Sequence, residues 1–190
     1  MNYLMKQYQW NAFYNKVKSY YSVYINNQNC LENSKLRGDT HTIIHRFHGN
    51  DIPNWIREEF KSDILIVQIF AAEPRSVGLI HKDGTDRQCA FNIPLFGCES
   101  GYMQWFEESQ LTTRLISNEY TSIRISEEQI QNGKSFEPIP IQSTLIVHPT
   151  LINTNIWHRI DNRDSDQFRW MISIRFAHNP SFQVLSEEII

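Results

Sequence analysis

The run "LIHKDGTDRQCAFNIPL" (residues 79–95) places two candidate metal ligands between two strand-like segments. His81 and Asp83 are one residue apart, at the point where an apolar segment ends. Side chains along a strand alternate between its two faces, so both residues would project from the same face. The polar residues after Asp83, which include Gly84, predict a turn into a second strand. The pair is therefore either an ordinary surface turn or part of a metal site, and a short motif alone does not decide.

The composition is that of a globular protein with one buried core. The 190 residues suffice for one domain and are few for two, so we predict a single domain over residues 1–190. Hydrophobic residues make up 41% and charged residues 21% of the chain, which excludes a disordered or fibrous class. A net charge of -3 predicts no bulk attraction to nucleic acid or to an acidic membrane.

Three features of the sequence predict a cytoplasmic protein. The three cysteines are odd in number and lack C-x-x-C spacing, which argues against a disulfide framework and a structural zinc site. The N-terminal residues lack the apolar stretch and the cleavage site of a signal peptide. No apolar run reaches the length of a membrane span, so no membrane partner is expected.

Most of the chain after residue 62 is predicted to form short β-strands. The candidate strands are rich in Ile, Val, Phe, Trp and Thr, and Gly, Pro, Asn or Asp separate them. They cover residues 63–72, 76–83, 87–96, 101–109, 112–125, 143–149, 152–160 and 168–176. Many short strands behind helical segments predict a mainly β sandwich or jelly roll, with its core over residues 63–181.

Residues 1–62 are predicted to be helical padding packed on one sheet. Aromatic residues between 3 and 25 recur at spacings of three and four, which predicts an amphipathic helix. Residues 51–60 predict a second, short helix with Pro53 in its first turn. Residues 41–47 have the character of a short strand between these helices.

A third candidate ligand and a candidate anion anchor lie near the end of the chain. His158 lies on one strand candidate, and Arg169 begins the next. With His81 and Asp83, His158 would complete a set of two histidines and one carboxylate, which leaves positions open on ferrous iron for a bidentate co-substrate and dioxygen. A 2-oxo acid also needs a cation for its distant carboxylate, and a guanidinium offers a planar fork. Taken alone, a histidine such as His158 is more often a buried structural residue than a metal ligand.

The segment "RWMISIRF" (169–176) predicts the wall of a pocket. Arg169, Met171, Ser173 and Arg175 would share one face of the strand, and Trp170, Ile172, Ile174 and Phe176 the other. The apolar face would pack on the core and the mixed face would line a cavity. Asn92 is a polar residue in another apolar run, and it needs a hydrogen-bond partner, either the co-substrate or a backbone group.

Together, these residues resemble the Fe(II)- and 2-oxoglutarate-dependent dioxygenases, and within them most closely the aspartyl/asparaginyl β-hydroxylase group. The run "HKDGTDRQCAFNIPLFGC" (81–98) is similar to that group's first-ligand strand and the strand after it. The run "LINTNIWHRI" (151–160) is similar to its second-histidine segment, and "FRWMISIRFAHNP" (168–180) is similar to its arginine strand. The likeness covers roughly residues 75–181, which is over half of the chain, and does not reach the N-terminal helix.

The resemblance implies a double-stranded β-helix, or jelly roll, with iron held by His81, Asp83 and His158. It also implies 2-oxoglutarate held by the iron and Arg169. The aspartyl hydroxylases typically have glycine at the position of Asp83, so Asp83 completes the triad of the wider superfamily and weakens the transfer of their substrate class. Arg169 lies one residue further from His158 than in that group, so Arg175 is a second candidate for the anchor.

The function implied by the resemblance is that of an enzyme. It would use Fe(II), 2-oxoglutarate and dioxygen to hydroxylate an unactivated C–H bond of a peptide or amino-acid side chain, although a small molecule fits the same triad. One alternative is a non-catalytic, cupin-like metal-binding or sensing module, which would have no need of Arg169. A carbohydrate-binding jelly roll is another, and it would use exposed Tyr102 and Trp105 while leaving the ligand set unexplained.

Overall fold

The computed structural model describes residues 4–25, 41–83, 88–117, 122–127, 129–131 and 134–188. Its helices and strands, in chain order, are β1 (Met5–Gln7), α1 (Asn11–Tyr21), β2 (His41–His48), α2 (Asn54–Glu59), β3 (Ile64–Ala72), β4 (His81–Lys82), β5 (Cys89–Phe96), β6 (Tyr102–Trp105), β7 (Thr112–Ser117), β8 (Ser122–Glu127), β9 (Gln129–Gln131), β10 (Lys134–Phe136), β11 (Gln142–Leu145), β12 (Thr150–Asn153), β13 (His158–Asp161), β14 (Arg169–Phe176) and α3 (Phe182–Glu188). Short 3-10 turns occur at Ser22–Tyr24, Gly49–Asp51 and Glu108–Gln110.

Two six-stranded sheets make up most of the described fold. Sheet A has the strand order β1-β12-β5-β14-β3-β2, and sheet B has the order β11-β6-β13-β4-β8-β7. Strands β9 and β10 form a separate two-stranded ribbon. Every pairing is antiparallel. The predicted mainly β class is therefore confirmed, as two antiparallel sheets with few helices.

Strand β14 separates two apolar clusters because its side chains alternate between faces. Trp170, Ile172, Ile174 and Phe176 join the larger cluster, to which α1 contributes Phe13, Val17 and Tyr21. Met171, on the opposite face, packs in a second cluster with Met103, Trp105 and Ile146 on the side of sheet B. Helix α1 thus packs on the outer face of sheet A, as predicted, and the inner face of β14 turns toward sheet B.

The helix predicted for residues 3–25 is wrong over its first part. Residues Met5–Gln7 form β1, which pairs with β12, and the α-helix covers only Asn11–Tyr21. Backbone hydrogen bonds fix this edge: Asn153 N donates to Leu4 O (3.0 Å) and Tyr8 N donates to Pro149 O (2.9 Å). Residues Met5–Gln7 thus pair with the edge of β12 and form a strand, although the aromatic periodicity predicted a helix there. Residues 1–62 are accordingly not all helical, since β1 and β2 both join sheet A.

Several predicted strands are shorter or divided. Only His81–Lys82 of the run 76–83 is a strand, with an isolated bridge between Val77 and Asp161. The run 152–160 is divided between β12 and β13, because Asn155 N donates to the Asn153 side chain (3.1 Å) and the chain turns there. The turn predicted through Gly84 lies outside the described residues.

Helix α2 is shorter than the predicted run 51–60, and Pro53 lies before its first turn and not within it. The helix covers Asn54–Glu59, and Pro53 is the residue that immediately precedes it. Among the helices of the described residues, none has the length and apolar character needed to cross a membrane.

Candidate metal centre

His81 and His158 are direct neighbours in sheet B. They pair in register between β4 and β13, so both side chains project from the same face of the sheet. Their ring centroids are 4.4 Å apart, at an interplanar angle of 53°. The two strands therefore bring together two histidines that are far apart in the sequence.

Both histidines are oriented by the same backbone contact. Nδ1 of His81 lies 2.9 Å from Leu79 O, and Nδ1 of His158 lies 2.7 Å from Ile156 O. A carbonyl oxygen only accepts hydrogen bonds, so each Nδ1 carries the proton and donates it. In the neutral tautomer that donates from Nδ1, Nε2 keeps its lone pair and is the atom that can bind a metal ion.

Asp83 completes the group just after β4 ends. Its Oδ1 lies 3.8 Å from His81 Nε2, and its backbone N–H donates to Thr154 O (3.1 Å). One ligand atom from each of His81, Asp83 and His158 lies within 4.8 Å of the others. A single ion can contact all three after small side-chain adjustments.

Burial keeps His158 neutral. The residue is only 5% exposed, and this burial lowers the pKa of His158 to about 3, with nearby His81 acting in the same direction. A neutral imidazole offers its lone pair to a metal without first losing a proton. His81 is more open, with 32% of its side chain exposed, so the centre has one accessible side.

Arg169 is buried without a counter-charge. It is 4% exposed, and its Nε and Nη2 have no hydrogen-bond partner within the described part of the chain. Burial lowers the pKa of Arg169 from its ordinary value. Arginine is almost never fully buried unless it is paired, so this guanidinium has the character of an anion-binding group.

Arg169 packs so closely on residue 101 that only glycine fits there. A Cβ at Gly101 would lie 2.7 Å from Arg169 Cδ and 2.5 Å from Asn162 Oδ1, which is closer than real Cβ contacts. The Nδ2 of Asn162 donates to Glu73 O (2.7 Å) and Gln167 O (3.0 Å), which fixes this side chain. The sequence analysis missed Asn162 and Gly101, because nothing in the run "DNRDSD" (161–166) distinguishes Asn162 from a turn residue.

Arg175, the second candidate anchor, lies next to Asp83. Its Nη1 is 2.7 Å from Asp83 Oδ2, and both side chains are largely buried. The contact has the length of a hydrogen bond but not its alignment, so we describe it as a close ion pair. The structure therefore brings Arg175 to the ligand group.

Asn92 lies on sheet A in a row of polar residues. It is in register with Thr150 of β12 and with Ser173 of β14, and Ser173 is in turn in register with Gln68 of β3. Its Oδ1 is buried and has no hydrogen-bond partner within the described segments. Asn92 thus faces the space between the sheets with an unused acceptor. Like Arg169, it belongs to sheet A and not to the ligand group itself.

The two aromatic residues proposed for a carbohydrate surface do not form one. Trp105 is fully buried in the cluster between the sheets, whereas Tyr102 is exposed. A stacking platform needs accessible aromatic faces, so Trp105 is not available for this role.

No family model matches the chain, and no curated protein matches its sequence. The chemistry of the centre therefore follows from its own residues.

Proposed function

We propose that the protein is an Fe(II)- and 2-oxoglutarate-dependent dioxygenase that hydroxylates an unactivated C–H bond. The observation that carries this proposal is the pairing of two features in one interior. Two histidines and a carboxylate converge at sheet B, and a buried arginine whose Nε and Nη2 have no hydrogen-bond partner among the described residues lies on the facing strand of sheet A.

We also propose that the fold is a jelly roll. Four strand pairs support it: β3 with β14, β4 with β13, β5 with β12, and β6 with β11. These pairs are nested in the sequence, and the first and third belong to sheet A while the second and fourth belong to sheet B. A long hairpin wound around itself in this way gives the eight-stranded arrangement of a jelly roll.

The donor set fits ferrous iron. Two imidazole nitrogens and one carboxylate oxygen are the ligands of non-haem iron oxygenases, and they leave coordination positions open. None of the three is a thiolate, which makes a structural zinc site of the cysteine type a poor match. His81, Asp83 and His158 would hold the ion.

The arginine pair fits one anionic co-substrate. Arg169 has unused donors and no carboxylate partner, whereas Arg175 already contacts Asp83. We therefore assign the distant carboxylate of 2-oxoglutarate to Arg169 and not to Arg175. Asn92 Oδ1 is a further buried acceptor in this interior that has no hydrogen-bond partner among the described residues.

Ferrous iron with 2-oxoglutarate supplies the activation of dioxygen and the oxidation of the C–H bond. The chain supplies binding, orientation and exclusion of water. His158 is buried beside Trp157, whereas His81 is partly exposed. Leu79, two residues before His81, is 64% exposed. The substrate is expected to approach from the side of His81 and Leu79. A peptide or amino-acid side chain is the substrate class that we propose.

The remaining alternative is a metal-binding module without turnover. It accounts for His81, Asp83 and His158 equally well. It gives no reason for a buried Arg169 whose Nε and Nη2 have no hydrogen-bond partner in the described part of the chain, because a pure metal site needs no anion anchor. Binding of 2-oxoglutarate is therefore the property that separates the two functions.

The proposal is tested by calorimetric titration of the full chain with Mn(II), which is redox-stable in air, and then with 2-oxoglutarate. The wild type is expected to bind one Mn(II) and, only when loaded with it, 2-oxoglutarate. His81→Ala is expected to lose both, while His48→Ala, at an exposed position of β2, keeps both. Metal binding without 2-oxoglutarate binding would favour the module, and no metal binding would contradict both functions.

A further inference from the structure

Asp83 is held from two directions. Its backbone N–H donates to Thr154 O, in the turn that leads from β12 to β13. Its carboxylate contacts Arg175, which belongs to β14 of sheet A, while the two histidines belong to sheet B. The Arg175–Asp83 contact therefore joins the two sheets at the ligand group.

The two carboxylate oxygens of Asp83 have different neighbours. Oδ1 is 3.8 Å from His81 Nε2, on the side of the histidine pair. Oδ2 is 2.7 Å from Arg175 Nη1. When one oxygen is held by a guanidinium, the other points in a fixed direction, which is how outer partners orient metal ligands.

Arg175 also supplies the charge that Asp83 needs. The exposed fractions are 14% for the Arg175 side chain and 7% for that of Asp83. A carboxylate buried to this extent is costly unless a cation is close. Arg169 lies six positions earlier on the same face of β14 and keeps unused donors. The two arginines thus differ in what they contact.

We propose that Arg175 is a positioning residue, which holds Asp83 Oδ2 so that Oδ1 faces the histidine pair, and that it does not anchor the co-substrate. This inference rests on the proposed function, because it assigns a role to Arg175 within the same site. The two arginines of β14 would then have different roles: Arg175 orients Asp83, and Arg169 binds the anionic co-substrate.

The contact itself is tested without a metal by a double-mutant cycle on the full chain. Asp83→Asn and Arg175→Gln each remove one charge of this buried ion pair, so each should lower the melting temperature by at least about 5 °C. The melting temperature of the double variant should not fall below that of the less stable single variant, because neither charge remains. Arg75→Gln and Asp166→Asn, an exposed ion pair, serve as the matched control and should change little. Additive losses at Asp83 and Arg175 would overturn the contact.

The role in metal binding is tested with Co(II), followed by its visible absorbance, and then with 2-oxoglutarate. Arg175→Gln should weaken Co(II) binding about 10- to 100-fold, the usual cost of losing an outer partner. The affinity of the Co(II)-loaded variant for 2-oxoglutarate should stay within about threefold of wild type. Arg175→Lys should recover part of the Co(II) affinity, since an ammonium keeps the charge. Unchanged Co(II) affinity, or a selective loss of 2-oxoglutarate binding, would overturn the role.

The two tests separate this inference from the proposed function. Additive losses in the cycle contradict the Arg175–Asp83 contact and leave the proposed function standing. A wild-type protein that binds no divalent ion contradicts the proposed function and, with it, the positioning role.

Discussion

Asp83 ties the candidate centre to other segments of the chain. Its backbone is tied to the turn before His158, and its two carboxylate oxygens face His81 and Arg175. The histidines are each fixed by one carbonyl of their own strand segment. At the scale of single residues, the geometry of the centre therefore depends most on the identity of residue 83.

Replacing Asp83 tests this dependence. In Asp83→Ala the affinity for Mn(II) should fall more than about 100-fold, because even outer partners of a ligand are worth 10- to 100-fold. Asp166→Ala, at an exposed position that pairs with Arg75, should bind Mn(II) like the wild type. Isothermal titration gives both affinities. An Asp83→Ala protein with undiminished affinity would show that two histidines suffice and that Asp83 is not a ligand.

Substitution of Gly101 should weaken the proposed binding of 2-oxoglutarate by Arg169 without weakening metal binding. In Gly101→Ala the new Cβ would collide with Asn162 Oδ1 and Arg169 Cδ, so we expect a loss of about 1–3 kcal/mol in the free energy of unfolding. Affinity for 2-oxoglutarate should fall while affinity for Mn(II) stays unchanged, because the Cβ would displace Arg169 and Asn162 and meets none of the three candidate metal ligands.

The control for this change is Gly49→Ala. Gly49 has a positive φ of 50°, and a Cβ there would meet nothing within 4 Å. The backbone strain should cost about 1 kcal/mol without any effect on either ligand. Denaturant unfolding and calorimetry measure both quantities. Equal 2-oxoglutarate affinity in the two variants would contradict the proposal that Arg169 binds 2-oxoglutarate.

At the scale of elements, the bounds of the long strands could be predicted, whereas those of the shortest strands, β1 and β4, could not. Residues 63–72, 87–96 and 168–176 were predicted as strands and form β3, β5 and β14 within two residues at each end. Their apolar runs are long enough to determine the conformation locally. Strands β1 and β4 have three and two residues, and pairing with β12 and β13 creates them. Such pairing depends on the tertiary structure and leaves no periodic signal.

Part of the candidate site could likewise be proposed from the sequence, whereas contacts that depend on the tertiary structure could not. The structure groups His81, Asp83 and His158, which the resemblance implied as iron ligands, and metal binding by them stays a prediction. The contact between Arg175 and Asp83 could not be predicted, because it depends on how β14 of sheet A lies against the end of β4 in sheet B. The close approach of Gly101 to Asn162 depends likewise on the packing of separate segments.

A charged cluster joins the segment after β10 to the outer face of β13. Glu137 accepts hydrogen bonds from Arg159 (2.6 Å) and Arg163, and Arg163 also donates to Asp161 (2.9 Å). The Arg163 and Arg159 side chains hold the pKa of Glu137 at about 2, below its ordinary 4.5. The side chain of Glu137 is 52% exposed, so solvent screening limits the stabilisation to about 1 kcal/mol or less.

The lowered pKa gives the sign of a pH dependence. A depressed carboxyl pKa stabilises the fold above the unfolded value of 4.5, and this contribution is lost as the pH falls toward about 2. Glu137→Gln should therefore be less stable than wild type at pH 7, by about 1 kcal/mol or less, and the difference should shrink at pH 3. Urea unfolding at both values measures it. Glu58→Gln, at an exposed position of α2, is the control; a difference at Glu137 that grows on acidification would contradict the ion pairs.

At the scale of the whole molecule, the two sheets divide the chemistry between them. Sheet B carries both candidate histidine ligands, with Asp83 directly after its strand β4. Sheet A carries Arg169, Arg175 and Asn92 on the face that turns toward sheet B. The proposed metal ion and the proposed co-substrate would thus meet in the space between the sheets, with each sheet supplying one part of the site.

The most direct test of the proposed iron and 2-oxoglutarate site is an anaerobic titration of the full chain with Fe(II), followed by 2-oxoglutarate. The account predicts the visible charge-transfer absorbance of a ferrous 2-oxo acid complex in the wild type. In Arg169→Ala the same absorbance should need at least about tenfold more 2-oxoglutarate, because the buried guanidinium that binds the distant carboxylate is gone. An Arg169→Ala protein with wild-type affinity would move the anchor to another residue. A wild-type protein that shows no such absorbance would contradict the account.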